Sequence, residues 1–308
     1  MTELTPSTGT KPRHLVSVLI PNWEGAADTL KCLDSLAAQE GDTYELEVLI
    51  VDNGSQDGSV EKMRDKLNLI GKSFKRWLVI EFEENRGIAA AYNAAYAEVS
   101  NKAFAVLRLD NDVVLSPKAV QLLLKVLTED PGVGVVGCRI TSEDSSPQMH
   151  HHSGAGLIDW WRGKSRSVYP STNIECDTVA GCVVLIRSAV IRKLPHFFHP
   201  DRFLASEADL CQRIKRLGGK VVYTPFATAF HRGAGSSGRA RSLVELEGMK
   251  ESVLLHLLHN RGFRRVFVVG SVFARAIVKF LLGNPVPVKG WIGAMVAVLP
   301  TSKRTNQL

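Results

Sequence analysis

The chain has 308 residues, of which 45% are hydrophobic and 22% are charged, and these are ordinary proportions for a globular protein. They exclude intrinsic disorder, collagen-like repeats and small disulfide scaffolds, and the length allows one large domain or two small ones. The net charge of +7 is uneven, because residues 252–308 contain no Asp or Glu. The basic residues of that stretch are Arg261, Arg264, Arg265, Arg275, Lys279, Lys289, Lys303 and Arg304. Basic residues interleaved with apolar ones favour a membrane surface over nucleic acid as a partner.

The first half of the chain alternates short apolar runs with segments of helical periodicity. The predicted strands are Leu15–Pro21, Glu47–Asp52, Leu78–Phe82 and Phe104–Leu109. The predicted helices are Ala27–Gln39, Ser59–Leu69, Ile88–Val99 and Pro117–Leu127. This alternation predicts a mostly parallel sheet built from βαβ units, and the nearly continuous apolar strands indicate burial on both faces.

The alternation ends after Gly132–Arg139. The polar stretch His150–Asn173 predicts loops or an inserted hairpin. The segments expected after it are an apolar run at Val179–Arg187, a helix at Glu207–Leu217, a strand at Val221–Thr224, an amphipathic helix at Leu243–His259 and apolar runs at Val266–Leu282 and Gly290–Leu299. The run at Val266–Leu282 contains two charges and is too short for a transmembrane helix. It fits either a helix lying in the membrane interface or a helix packed on the core with one polar stripe.

The five cysteines have no CxxC spacing and their number is odd. No signal peptide is recognisable before Leu15. These observations predict free thiols in a reducing cytoplasm.

Four consecutive predicted strands end in polar, ligand-capable residues. Ligands of open α/β sheets bind beyond the carboxyl ends of the strands, so the four ends are expected to meet at one edge. The residues in question are Pro21, Asn22 and Glu24 after the first strand, Asp52, Asn53 and Ser55 after the second, Asn85, Arg86 and Gly87 after the third, and Asp110, Asn111 and Asp112 after the fourth. One such end could be an ordinary turn, but four in succession predict a site.

Asp110 and Asp112 flank one residue at a strand end, a pattern that suits a hard divalent cation such as Mg²⁺ or Mn²⁺. The simpler alternative is that Asp112 or Ser116 caps the following helix. The triplet His150–His152 lies among Ser, Pro, Gln and Gly and is interpreted as a loop.

Glu207 and Asp209 stand at the start of a predicted helix, where either could act as a general base. The alternative is that both merely interact favourably with the helix dipole. His231 follows an apolar segment, and a lone histidine is more often structural than a ligand. The stretch Gly233–Gly238, with basic residues around it, is either a lid over a diphosphate or a plain linker.

In this order and spacing, the segments resemble the inverting nucleotide-sugar glycosyltransferases of family 2, which have the GT-A fold. The resemblance covers residues 15 to 240, and within the family it is nearest to the bacterial rhamnosyltransferase-like branch that builds cell-wall and O-antigen polysaccharides. It implies an α/β fold with a mostly parallel central sheet flanked by helices, to which the C-terminal amphipathic helices are added.

The resemblance also implies a role for each matching position. The nucleotide or donor residues would be Pro21, Asn22, Glu24, Asp52, Asn53, Ser55, Asn85, Arg86, Gly87, Asp110 and Asn111. Gly181 and Cys182 would form part of the acceptor side. Asp112 and His231 would ligate Mg²⁺ or Mn²⁺.

The chain departs from the family pattern at the residues that would supply the general base. Relatives usually read Glu-Asp-x-Asp-Leu-Cys, whereas this sequence has Ser206 and Glu207 at the first two positions. Glu207 is therefore the expected base, and Asp209 is the second candidate.

The implied function is the inverting, metal-dependent transfer of a sugar from a UDP- or dTDP-sugar, with dTDP-rhamnose as one candidate. The acceptor would be a glycan on a polyprenyl diphosphate at the inner face of the cell membrane, and no nucleic acid would take part. Residues 1–14 would be a flexible arm, 15–242 the catalytic domain (15–115 for nucleotide, 116–242 for acceptor) and 243–308 a membrane-associating segment. The altered base motif keeps one alternative open, a non-catalytic nucleotide-sugar-binding or scaffold subunit.

Overall fold

The computed structural model describes residues 13–142, 154–202, 204, 206–233, 241–283 and 286–298. The strands of this part are β1 His14–Asn22, β2 Tyr44–Asp52, β3 Arg76–Glu81, β4 Ala105–Leu109, β5 Val113–Leu115, β6 Val133–Thr141, β7 Ala155–Asp159, β8 Lys164–Val168, β9 Ile174–Glu175, β10 Val183–Arg187 and β11 Lys220–His231. The α-helices are α1 Ala26–Ala37, α2 Ser59–Ile70, α3 Ile88–Ala97, α4 Ala119–Glu129, α5 Ser188–Ile191, α6 Glu207–Arg216, α7 Arg241–His259, α8 Gly262–Leu281 and α9 Val286–Val298. The histidine triplet 150–152 lies outside the described residues, as does most of the stretch 233–238.

The central sheet has the strand order β3-β2-β1-β4-β10-β6-β11-β5, and β9 pairs with β11. β1 is parallel to β2 and β4, β2 is parallel to β3, and β6 is parallel to β11. β10 is antiparallel to both of its neighbours, so it separates two parallel groups. β7 and β8 form a separate antiparallel hairpin. Of the two predictions for the polar stretch, loops or an inserted hairpin, the hairpin is the one observed.

Side chains of the strands alternate between two buried layers, because successive residues of a strand point to opposite faces. On one face Val18 and Ile20 of β1 pack in a cluster with Leu33 of α1 and Met63 of α2. On the other face Leu19 packs in a cluster with residues of α3 and α6. Burial on both faces explains why the strands are almost continuously apolar. The predicted mostly parallel α/β sheet with flanking helices is confirmed.

Several predicted elements have somewhat different bounds in the structure, and in two of them the contacts give the reason. The helix predicted from Pro117 begins at Ala119. Residues Val113–Leu115 first pair with β11, and the Ser116 amide continues that pairing by donating to the Thr228 carbonyl at 3.1 Å, which delays the helix. The strand predicted at Val221–Thr224 runs on to His231. The ladder shifts its register between Thr224 and Thr228, and such an irregularity accommodates Pro225, which has no amide proton to donate.

The C-terminal helices pack on one another, and α7 also contacts α6. Val268 and Val272 of α8 lie in a small core with Val253 and Leu254 of α7. The opposite side of α8 is also apolar but exposed: its exposed residues include Phe263, Val266, Phe267, Val278, Phe280 and Leu281. We call this set the apolar face of α8. The helix thus combines a packed stripe with an exposed apolar one.

No helix in the described part of the chain is long and apolar enough to cross a membrane. All five cysteines are free and buried, which agrees with the predicted free thiols.

Candidate active site

The loops that follow β1, β2 and β4 meet at the side chain of Asn22. β1 and β2 are in register, with Asn22 opposite Asp52 and Pro21 opposite Val51. The Asn22 Nδ2 donates to Asp52 Oδ2 at 2.7 Å, and the Asn22 Oδ1 accepts from Asn111 Nδ2 at 3.2 Å. Asn22 and Asp52 are each 1% exposed, so their shared hydrogen bond fixes the relative position of the loops.

The second and third strand ends are tied together in the same way. Asn53 Nδ2 donates to Asn85 Oδ1 at 2.9 Å, and the Arg86 amide donates to Asn53 Oδ1 at 2.9 Å. The next amide, of Gly87 before α3, also donates to Asn85 Oδ1. Gly54 has a φ of +79°, and a Cβ there would lie 2.6 Å from the Glu84 backbone, so only glycine allows the two loops to touch.

The rim of this pocket is formed by residues that keep accessible surface. Asn85 and Arg86 are exposed, and the Arg86 guanidinium lies 4.8 Å from the centroid of the Phe82 ring. Ser55 accepts a hydrogen bond from the Glu24 amide at 2.7 Å, and Glu24 itself has a φ of +48°. Such a conformation is rare for a residue other than glycine and concentrates at functional sites.

Asp112 and His231 come together across the β5–β11 ladder. His231 pairs with Val113, which places its Nε2 3.0 Å from Asp112 Oδ1. Burial disfavours the charged imidazole, but the hydrogen bond and charge of Asp112 outweigh it, so the pKa of His231 is raised.

This pair fits a divalent cation. Two neighbouring ligands of an octahedral ion with bonds of about 2.1 Å stand about 3.0 Å apart, which is the separation of these two atoms. Carboxylate oxygen and imidazole nitrogen are both good donors to Mn²⁺, and carboxylate suits Mg²⁺. Within the described ranges no third His, Cys, Asp or Glu joins them as a ready-made metal cluster.

Asp110 and Glu207 are linked through a buried arginine. The Tyr92 hydroxyl donates to Asp110 Oδ1 at 2.6 Å. Arg108 Nη2 lies 3.8 Å from Asp110 Oδ1, and its Nη1 lies 3.7 Å from Glu207 Oε2. The guanidinium also stacks on the rings of Tyr92 and Phe198, at 4.9 and 5.3 Å from their centroids.

Arg108 was not among the site residues predicted from sequence, although a signal was present. Arg108 stands inside the apolar strand that ends in Asp110, and a charged residue is buried only when it is paired. Its position between two carboxylates couples the β4 strand end to the head of α6.

Glu207 is the first residue of α6, and Ser206 caps the helix by accepting from the Asp209 amide at 3.3 Å. The Glu207 side chain keeps 31% of its surface exposed. Gly181 lies directly against it, because a Cβ on Gly181 would be 2.8 Å from Glu207 Oε2. The following residue, Cys182, is buried and accepts from the Asp110 amide at 3.0 Å.

Asp209 has very different surroundings. Its side chain is 9% exposed, Arg213 Nε donates to Oδ2 at 2.8 Å, and His259 Nε2 lies 2.8 Å from Oδ1. Burial by itself would raise the pKa of Asp209, but the His259 hydrogen bond and the charges of Arg213 and Arg202 lower it to about 2. Both oxygens are therefore committed, one to Arg213 within α6 and the other to His259, which joins α6 to α7. His259 was not among the site residues predicted from sequence, because it lies fifty residues away from Asp209 and belongs to no local motif.

The mixed sheet, with polar loops gathered at one edge and an acidic residue heading α6, is that of a GT-A type α/β fold. Residues 17–194 match the model of glycosyl transferase family 2, and the chain belongs to that family.

Individual relatives are distant or cover only part of this chain. A chondroitin synthase of Pasteurella multocida is 34% identical over 122 residues, which are 40% of this chain and 12% of that protein. The mannosyltransferase PcManGT of Pyrobaculum calidifontis, solved with GDP-Man and Mn²⁺, superposes with a TM-score of 0.61 at 17% identity, covering 97% of this chain and 79% of that one. S. aureus TarS 1–349 with UDP-GlcNAc superposes with a TM-score of 0.60 at 17% identity, covering 91% and 79%. The chain spans less than a third of the length of the first curated relatives that it matches.

Proposed function

We propose that the protein is an inverting, metal-dependent glycosyltransferase that moves a sugar from a UDP- or dTDP-sugar to a hydroxyl of a glycan acceptor. The observation that carries this proposal is the position of Glu207. It is a partly exposed carboxylate that heads α6 and is joined through Arg108 to Asp110 and hence to the donor-side strand ends.

The donor pocket would be formed by the strand-end residues. Asn22, Asp52, Asn53 and Asn111 hold the loops in place, while the more accessible residues would contact the ligand. These are Pro21, Glu24, Ser55, Asn85, Arg86 and, at the β4 end, Asp110. Gly87 would bring its backbone close to the diphosphate. Related folds that bind GDP-Man or UDP-GlcNAc support a nucleotide-sugar donor, with dTDP-rhamnose as one candidate.

Asp112 and His231 would hold Mg²⁺ or Mn²⁺, as their 3.0 Å separation allows. When bound, the cation neutralises charge on the diphosphate leaving group. Mn²⁺ in a structurally related mannosyltransferase supports a divalent cation, and the choice of Asp112 and His231 as its ligands rests on their separation.

Glu207 would take the proton from the acceptor hydroxyl as its oxygen forms a bond to the anomeric carbon. The bond from that carbon to the diphosphate oxygen breaks, and its electron pair leaves with the nucleotide diphosphate. A single displacement from the opposite face inverts the anomeric centre, so no protein nucleophile is needed. Gly181 and Cys182 would form the wall of the acceptor side, and Asp209 would keep α6 in place.

The acceptor is proposed to be lipid-linked, with the enzyme peripheral at the inner face of the cell membrane. The apolar face of α8 lies in a segment that has eight basic residues and no acidic ones, which suits an anionic membrane surface. Buried free thiols are consistent with a reducing compartment.

Replacing the base tests the proposal. In Glu207→Gln we expect nucleotide release from a panel of UDP- and dTDP-sugars with Mn²⁺ to fall by about 10²–10⁴-fold, because the amide cannot accept the proton. The thermal stabilisation by nucleotide and Mn²⁺ should remain, since the donor residues are untouched.

Glu175→Gln is the matched control, because Glu175 is an exposed carboxylate on β9 and should change neither measurement. Stabilisation by nucleotide without turnover of any sugar in the wild type would instead favour the non-catalytic subunit. Turnover that persists in Glu207→Gln would show that Glu207 is not the general base.

A further inference from the structure

A buried positive charge, that of Arg108 in β4, lies at the centre of the candidate active site. Its guanidinium packs on two aromatic rings of one buried layer, with the centroids of Tyr92 and Phe198 at 4.9 and 5.3 Å. Burial by itself would lower the pKa of Arg108, but Tyr92, Asp110 and Glu207 outweigh burial and raise it. The side chain is therefore a permanent charge in a water-poor layer.

Two neighbouring residues of α3 keep the surroundings of this charge in place. The Tyr92 hydroxyl donates to Asp110 Oδ1 at 2.6 Å. The side-chain amide of Asn93 donates to the Phe198 carbonyl and accepts from the Phe198 amide, both at 2.8 Å. Both rings that contact the guanidinium are thus anchored to α3. A planar guanidinium stacked on anchored rings has few alternative positions, so Arg108 is held rigidly.

Arg108 turns one nitrogen toward each of two carboxylates. Its Nη2 lies 3.8 Å from Asp110 Oδ1, and its Nη1 lies 3.7 Å from Glu207 Oε2. Both separations exceed those of a charge-assisted hydrogen bond, in which the atoms stand about 2.7–2.9 Å apart. The contact therefore attracts the Glu207 carboxylate without occupying a lone pair of Oε2, which a base needs for the incoming proton.

Gly181 provides the space in which Arg108 and Glu207 meet. A Cβ at position 181 would lie 2.8 Å from Glu207 Oε2 and 3.2 Å from Arg108 Nη1. A side chain there would displace one or both of these groups. The approach of the carboxylate to the guanidinium thus depends on glycine at the beginning of the segment that leads into β10.

We propose that Arg108 is a positioning residue for the transfer reaction, which holds the Glu207 carboxylate at a fixed place relative to Asp110. Asp110 belongs to the donor side and Glu207 is the proposed base, so one rigid group sets the distance between the two halves of the reaction. In-line displacement is sensitive to this distance, since a misplacement of about 1 Å can cost about 10²-fold in rate. The inference rests on the proposed function, because it requires Glu207 to be the base.

Substitution of Arg108 separates placement of the base from binding of the donor. The assay is nucleotide release, with Mn²⁺, from the UDP- or dTDP-sugar that the wild type turns over. In Arg108→Met we expect kcat to fall by about 10–10²-fold and the donor KM to change by less than about threefold, because the base is misplaced while the donor loops are untouched. Arg108→Lys retains the charge and should recover about tenfold of that loss.

Arg187→Met is the matched control. Arg187 also packs on an aromatic ring, 5.5 Å from the Phe104 centroid, and its Nε donates to the Val133 carbonyl at 2.8 Å. It pairs with Ala105 at the opposite end of β4, away from the site. This variant should lower the unfolding temperature and leave kcat within about twofold of the wild type, as expected for an arginine with a structural role only.

A double-mutant cycle with Glu207→Asp shows whether Arg108 acts through the base. Asp is shorter by one methylene group, so its carboxylate is withdrawn from the guanidinium but still accepts a proton. We expect the loss of kcat on Arg108→Met to be at least about fivefold smaller in the Glu207→Asp background than in the wild type, because the contact is already weakened there. Arg108→Lys enters the same cycle, so the test does not depend on the folding of the Met variant.

The outcomes distinguish this inference from the function on which it rests. Losses that multiply in the double variant, or a kcat of Arg108→Met equal to that of the wild type, would overturn the positioning role and leave the proposed function intact. A wild type that turns over no sugar nucleotide would overturn the proposed function, and the positioning role with it.

Discussion

At the scale of single residues, two acidic side chains one residue apart in α6 have opposite environments. Glu207 keeps a third of its surface and has Arg108 at 3.7 Å, whereas Asp209 is buried between Arg213 and His259. Proton transfer needs an accessible carboxylate, so the exposure of Glu207 favours it over Asp209 as the proposed base. Position 207 is usually Asp in relatives. The longer side chain of Glu207 is compatible with a base whose carboxylate extends past Gly181.

If His231 ligates the metal as proposed, its imidazole is expected to make metal-dependent nucleotide binding sensitive to pH. Because the pKa of His231 is raised, the ring stays protonated above its ordinary value of 6.5, and a protonated ring cannot ligate a metal. Mn²⁺ affinity should therefore rise with pH by about tenfold per unit through the range from 6 upward and level off once the ring is neutral.

Titration of Mn²⁺ with UDP present between pH 5.5 and 8.5 measures this slope. His231→Gln should bind Mn²⁺ more weakly and lose the slope. His196→Gln is the control, since His196 lies beside His199 and takes no part in the proposed metal site. A flat profile in the wild type would contradict ligation by His231.

At the scale of elements, α7 holds α6, the helix that begins with the proposed base, in position. The carboxylate of Asp209 can only accept, so His259 must donate from Nε2, and this bond crosses from α7 to α6. Arg216 of α6 also donates to the Leu258 carbonyl at 2.9 Å, and Arg202 pairs with Glu251 of α7. The C-terminal helices, through α7, are therefore part of the structure that supports the candidate active site.

A double-mutant cycle with Asp209→Asn and His259→Gln measures this connection. We expect an interaction energy of about 1–3 kcal/mol in urea unfolding, because both groups are buried and the bond is charge-assisted. The matched control is Glu247→Gln with Lys250→Gln, an ion pair within α7, which should couple by less than about 0.5 kcal/mol. Strictly additive costs for Asp209 and His259 would show that the two side chains do not interact.

The same elements show what could be predicted from sequence. The β1–β4 half was predictable because its helices and strands have clear periodicities, and because parallel strands bring Asn22, Asp52 and Asp112 to one edge. The long β11 could not be predicted, because Pro225 interrupts the strand pattern and only the register shift permits it to continue. The bonds of Arg108 to Glu207 and of His259 to Asp209 join residues that are distant in sequence, and no local pattern specifies such contacts.

At the scale of the whole molecule, the apolar face of α8 lies beside the turn of the β7–β8 hairpin, where Trp161 packs edge-on against Phe267. Phe263 is 76% exposed and Phe267 51% exposed, and the Arg264 guanidinium lies 5.9 Å from the centroid of the neighbouring Trp161 ring. An exposed apolar surface among basic residues is typical of a helix that enters the headgroup layer. Docking of this face would bring the turn of the β7–β8 hairpin to the membrane surface.

Co-sedimentation with phosphatidylglycerol-containing vesicles tests the docking. Phe263→Gln/Phe267→Gln should lower the partition coefficient by about tenfold or more, because each ring loses about 1 kcal/mol or more of apolar burial in the bilayer. Leu69→Gln is the matched control: Leu69 is also 76% exposed but lies on α2, in the half of the chain that carries the donor loops. Pure phosphatidylcholine vesicles should bind less in every variant, since the basic segment then has no anionic partner. Equal partitioning of the double variant and the wild type would show that this face does not meet the bilayer, and the exposed aromatic rings would then have to serve another partner.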